Sequence, residues 1–213
     1  MINNIKVVNN NNIDYKFNKE LRNKENIKKE AIIILILISY LINLFASIIL
    51  WNLFKLEPWR LFTHYYIVGM VLVGVHALGH SKWGGWWRKQ HITSHHIQCY
   101  PFKKFIRESP YKHNLPIHKD GNIWMFAVPA VCGCLILTSN IYQFLGLGIY
   151  SLLILLREDY LHQNIHTSPH SWEGNFIFET LRSLHKEHHR GTMKCNYGFG
   201  DPFHDLILGT LNY

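Results

Sequence analysis

The amino-acid sequence predicts an all-α integral-membrane protein: four apolar helices in two hairpins, with a histidine-rich cap where the hairpins end. Three observations carry that expectation. The apolar residues gather into long uncharged stretches, the basic residues lie almost wholly on one side of them, and ten of the fifteen histidines form two similar clusters at their exits. A chain of 213 residues is expected to form one domain.

Residues 1–30 are rich in Asn and Lys and poor in apolar mass, so they are expected to form a disordered cytoplasmic tail, in part helical near the membrane, ahead of a membrane domain over 31–213. Ala31 to Trp51 then runs 21 residues without a charge, enough for a helix to cross a hydrocarbon core of roughly 30 Å. This stretch is too long for a signal-peptide core and has no small-residue cleavage site, so it is expected to stay as an anchor. Leu61 to His80 is a second uncharged span. Ile123 to Leu137 and Ile141 to Leu156 form a shorter third and fourth, separated only by Thr138, Ser139 and Asn140. They either cross a thin bilayer or dip in as a re-entrant hairpin, and both ends then emerge on one face.

The basic residues set the orientation. Of 22 Lys and Arg, seven precede residue 31, eight lie between 81 and 122, and five follow 156. Only Lys55 and Arg60 fall between the first two spans. The positive-inside rule places the N-terminus, the middle segment and the C-terminal tail in the cytoplasm. The same asymmetry accounts for the net charge of +8 through contact with anionic lipid. No arginine-rich, aromatic-interleaved motif is present, and a nucleic-acid partner is not expected. The segment SKWGGWWRKQ reads as an interface helix with Trp83, Trp86 and Trp87 at headgroup depth, or alternatively as part of an acyl pocket. Four cysteines give no disulfide framework; Cys195 follows the second cluster closely enough to offer a thiolate but is not counted among the ligands.

Both histidine clusters have one form. His76 and His80 are followed by His91, His95 and His96; His162 and His166 are followed by His185, His188 and His189. Residues at i and i+4 share a helix face, and adjacent histidines supply further nitrogens from one short segment. Ten imidazoles exceed what one ion uses, which points to two metal ions side by side. A closed structural zinc site would want four ligands, often with cysteine. Ten histidines at a membrane face point instead to a redox-active pair, able with oxygen to attack an unactivated C–H bond of a substrate arriving from the bilayer. Spacing alone does not separate iron from another metal.

The stretches EDYLHQNIHTSPH, LHKEHH and CNYGFGDPFHDLILGT resemble the fatty acid hydroxylase and sterol desaturase superfamily of integral-membrane enzymes. The closing pattern is carried by Asn196, Tyr197, Gly198, Asp205, Gly209 and Thr210. The resemblance covers the histidine clusters and the C-terminal third closely, and the rest by its pattern of spans. It implies a four-helix membrane base, a cytoplasmic cap holding two iron ions, oxygen as co-substrate, a separate b-type cytochrome or reductase as electron donor, and a fatty acyl, sphingolipid or sterol substrate. Lipid biosynthesis in the endoplasmic reticulum follows as its setting.

By position, His76 and His80 match the first histidine box, His162 and His166 the third, and His185, His188 and His189 the fourth. The second box departs from the family: His91-Ile-Thr-Ser-His95-His96 is one residue longer than H-x-x-H-H. His91 then serves as a ligand through a bulged turn, or only stands beside the site. His204 occupies a position where relatives carry Trp, and is expected to pack or support rather than ligate. Asp159, three residues before His162, either accepts a ligand's second N–H or is a helix-end charge. His170 is placed beside the ligands, not on the metal. His64, His113 and His118 read as structural or solvated. Two other readings remain: a metal-binding membrane protein or transporter, which would place polar ligands midway along the spans, and a catalytically inactive protein of the same fold.

Overall fold

The computed structural model of the chain describes residues 10–107, 123–168, 170–190, 193–198 and 200–212. Within them the chain is all-helical, without strands. His113 and His118 lie outside the described residues. Helix α1 (Asn10–Phe54) is followed by α2 (Pro58–His80), a short α3 (Gly85–Gln90) and a π-helical segment (His91–Cys99). Then come α4 (Ile123–Leu137), α5 (Ile141–Ile165), α6 (Phe176–His188) and α7 (Phe203–Leu208).

Among the described residues, three helical stretches are long and apolar enough to cross a membrane: Lys29–Phe54, Pro58–His80 and Ile141–Ile165. Two elements differ in extent from the sequence expectation. Helix α1 begins at Asn10, so residues 10–30 form a helix continuous with the first span. Lys, Glu, Leu and Arg are good helix formers, and extending an existing helix avoids the cost of nucleation. Helix α5 runs on to Ile165, beyond the apolar stretch that ends at Leu156, and carries Arg157, Glu158, Asp159 and His162 past it. No Gly or Pro interrupts those added turns. Helix α4 has 15 residues, or about 22 Å of rise, and contains Pro129.

Helix α1 packs on α2 and α5, while α4 packs on the same two helices. Small residues permit these approaches, as where Gly146 on α5 faces the Phe54 ring. The turns after α1 and α4 meet at one end. Arg60 donates to the Leu137 carbonyl (2.8 Å) and Ser139 Oγ (3.0 Å), and Gln143 donates to the Lys55 carbonyl (3.0 Å). Beside them lies an apolar cluster of Leu50, Leu56, Leu61, Leu147 and Tyr150. With both turns at one end, α2 and α5 run parallel, and their C-terminal ends leave the apolar layer together. This brings the HALGH and HQNIH sequences to one level.

Candidate metal centre

The last turns of α2 carry His76, which is buried, and His80, and the end of α5 carries His162 and, at its C-cap, His166. Helix α6 supplies His185, His188 and, at its C-cap, His189. Its apolar face, Phe178, Leu181 and Leu184, packs inward and turns the histidines the same way. Arg182 ties α6 to the end of α5 by donating to the carbonyls of Ile165 (3.1 Å) and Thr167 (2.7 Å).

The π-helical segment accounts for the extra residue between His91 and His95. A bond of 2.8 Å from Tyr100 N to the His95 carbonyl has i→i+5 spacing. The widened turn sends His91 and His96 into one group of rings and His95 into the other. Trp87 stacks on the His91 ring at 5.3 Å and donates from Nε1 to the Val75 carbonyl (2.8 Å). Gly79 allows that contact, because a Cβ there would stand 2.7 Å from Trp87 Nε1.

All ten clustered histidines converge in two adjoining sets. His76, His80, His91, His96 and His188 form the first; His95, His162, His166 and His185 form the second, and His189 adjoins both His95 and His96. In the first, Nε2 of His91 lies 3.1 Å from that of His76, 3.0 Å from that of His80 and 3.2 Å from that of His96. In the second, Nε2 of His95 is 3.2 Å from that of His162 and 3.1 Å from that of His189. Nε2 of His185 is 3.0 Å from that of His166 and 3.1 Å from that of His189. His189 thus stands between the sets, touching His95 and His185 of the second and adjoining His96 of the first.

Hydrogen bonding does not explain this convergence. A ring nitrogen offers either one N–H or one lone pair, so the three contacts of His91 Nε2 cannot all be hydrogen bonds. Four Nδ1 atoms face backbone carbonyls, which only accept. His76 donates to Tyr197 (2.6 Å), His166 to Phe105 (3.0 Å), His188 to Cys195 (2.7 Å) and His189 to Tyr100 (2.9 Å). With the proton on Nδ1, each neutral ring turns its Nε2 lone pair inward. Burial holds the imidazoles of His91, His95, His96, His185 and His189 below the usual histidine range, and lowers His188 to about 4. His188 Nε2 is buried and has no hydrogen-bond partner among the described residues. Lone pairs gathered in this way repel one another unless a cation lies between them. Two donors bound at right angles to one ion, at about 2.1 Å each, stand about 3 Å apart. The clustered histidines could therefore hold a metal ion.

The C-terminal segment supports the first set. Asp205 accepts from Tyr197 N (2.9 Å), Gly198 N (2.6 Å) and Thr210 Oγ1 (2.5 Å). Asn196, at φ 52°, donates from Nδ2 to the carbonyls of Leu184 (3.0 Å) and Asn212 (2.7 Å). Gly209, at φ 67°, ends α7 and lets the chain turn back to Thr210. This clasp fixes the carbonyls of Cys195 and Tyr197 that hold the protons of His188 and His76. Cys195 thus serves the first set through its backbone.

The other singled-out residues lie nearby. Asp159 accepts from Gln163 Nε2 (2.8 Å) and lines a cavity beside the histidines. His170 stacks on Phe178 and accepts from Trp172 N (3.2 Å), outside both sets. His64 is buried within α2, 2.7 Å from Ser151 Oγ. His204 packs against Tyr65. Trp83 and Trp86 are exposed, while Trp87 is buried.

An apolar cavity of about 100 Å³ runs between α2, α4 and α5, lined by Val68, Leu72, Ala130 and Leu155, and reaches His91 and His162. One histidine from each set therefore faces it. No protein-family model, curated protein or solved structure matches the chain.

Proposed function

We propose that the protein is a membrane-bound, oxygen-dependent di-iron oxidoreductase that hydroxylates or desaturates a lipid C–H bond. The observation that carries this reading is the pair of adjoining histidine sets, joined by His189 and both touching one apolar cavity that runs back into the helices. A pair of bound irons supplies the capacity to reduce oxygen with electrons delivered from outside the chain, and thereby to oxidise an unactivated carbon. The chain's own residues do the rest. His76, His80, His91, His96 and His188 hold one ion; His95, His162, His166, His185 and His189 hold the other. The carbonyls of Tyr197, Cys195, Phe105 and Tyr100 keep the Nδ1 protons in place, so the facing nitrogens stay bare. Val68, Leu72, Ala130 and Leu155 bind the hydrocarbon and exclude water, while Trp87 walls the cavity at His91.

In this reading α1, α2, α4 and α5 are the four-helix base, and α3, the π-helical segment, α6 and the C-terminal clasp are the cytoplasmic cap. A b-type cytochrome or reductase provides electrons, and the endoplasmic reticulum is the site of action. A transporter is less well supported, because the ligand sets lie at the ends of α2 and α5 and not midway along them.

Purified protein is expected to contain two irons per chain. Membranes carrying it are expected to form an oxygen-dependent hydroxylated or unsaturated lipid that is missing from a His188→Ala, His189→Ala control. Folded protein with one ion or none, or identical lipid profiles in both membranes, would refute the proposal.

A further inference from the structure

The same cavity contains two buried ring nitrogens that the metal sets do not use. His204, 4 % exposed, stands with its ring over Gly69 of α2, and a Cβ on Gly69 would lie 2.1 Å from His204 Nε2. That Nε2 has no hydrogen-bond partner among the described residues. Deeper along α2, His64 is 2 % exposed; its Nε2 meets Ser151, and its Nδ1 has no partner among the described residues. Both rings line the cavity. A plain hydrocarbon filling it would leave these nitrogens buried and unsatisfied, which is unfavourable.

Resting on the function proposed above, we infer that the cavity selects a neutral lipid bearing a hydroxyl group, held by Nε2 of His204, whose ring fills the notch at Gly69. A hydroxyl suits either tautomer of the ring, since it both donates and accepts. Charge argues against a free carboxylate. Glu158, Asp159 and Asp201 also line the cavity; among the described residues that line it, Arg157 is the single lysine or arginine and is already engaged by Glu158 through Nε at 3.0 Å. The offset from Gly69 to His76 on α2 is seven residues, so the hydroxyl lies about 10 Å from the metal ligands along the helix. The carbon that reacts is therefore remote from the hydroxyl. His204 is a specificity-determining residue that binds substrate at a distance from the chemistry.

The test is equilibrium binding to the full-length protein in nanodiscs of neutral lipid, with labelled hexadecanol, hexadecane, palmitate and hexadecylamine as probes. Wild-type protein is expected to favour hexadecanol. His204→Phe keeps an aromatic ring and removes both nitrogens; it should lower the preference for alcohol over alkane about tenfold. His204→Gln should restore part of it. If His204→Phe does not fold, Gly69→Ala must produce the same loss of preference, because its methyl displaces the ring tip. An unchanged alcohol-to-alkane ratio in the folded variant overturns the inference. Tighter binding of palmitate or hexadecylamine than of hexadecanol overturns it as well. Iron content and product formation are read separately, so alcohol selectivity without oxidation would refute the function and leave the binding site. Oxidation without alcohol selectivity would do the reverse.

Discussion

Asp205 coordinates nothing, yet the tautomer of His76 depends on it. Its two oxygens take Tyr197 N, Gly198 N and the Thr210 hydroxyl, and so aim the Tyr197 carbonyl at His76 Nδ1. The ten histidines and the closing Asn-Tyr-Gly and Asp pattern were legible in the sequence because their residue types carry chemistry. The four carbonyls that hold Nδ1 protons were not, since every residue has a carbonyl and only the fold aims it. Asp201, in the same clasp, is buried at 7 % exposure, and that burial raises its carboxyl to about 6 while its Oδ1 accepts from Phe203 N (2.9 Å). A carboxyl whose folded pKa lies above its unfolded value binds a proton more tightly when folded. Its contribution is therefore complete below about 4 and is lost as pH rises through about 6. Asn at this position keeps the cap without the charge. Asp201→Asn is expected to match wild type near pH 4 and to exceed it by on the order of 2 kcal/mol above pH 6. Thermal unfolding of both proteins across that range checks the sign, and a constant difference would contradict it.

Among the elements, the π-helical segment His91–Cys99 has the most direct bearing on the site. The sequence showed one residue too many between His91 and His95 and left open whether a bulge absorbs it. The widened i→i+5 turn spreads that residue over the whole segment, which periodicity alone did not indicate. It places His91 Nε2 3.2 Å from His96 Nε2, while the neighbouring His95 faces His162 and His189. The role of Gly79 was equally hidden, because its significance is the Trp87 ring stacked on His91. Removal of Thr93 restores i,i+4 spacing between His91 and His96, which an α-helical turn also places on one face. The deletion is thus expected to retain both ions and most turnover. His91→Ala is expected to lose metal from the first set and to reduce activity as far as His95→Ala does. Elemental analysis with single-turnover assays distinguishes the cases; a His91→Ala protein holding two ions at near-normal turnover would show that His91 is not a ligand.

For the whole molecule, two independent lines bear on which ends lie together. The distribution of basic residues, counted without any histidine, assigns residues 1–30, the 81–122 segment and the tail to one side. The contacts of Arg60 and Gln143 join the turns after α1 and α4 at the opposite end. Three membrane-length helices were legible as uncharged runs, since hydropathy is a property of composition. The extent of α5 was less so: its last turns are charged, with no Gly or Pro to end the helix, and His162 and His166 meet His185 of α6. A metal centre assembled from both hairpins requires their exits to share a face. N-glycosylation acceptors inserted beside Glu57 are therefore expected to be modified in the endoplasmic reticulum, and acceptors beside Arg190 to stay unmodified. Glu57 and Arg190 flank opposite ends of the helical layer, so modification at Arg190 and not at Glu57 would invert the orientation while keeping the site whole. Modification at both would place the two positions on one side of the membrane, and α2 and α5 could not then carry their histidines to a common exit.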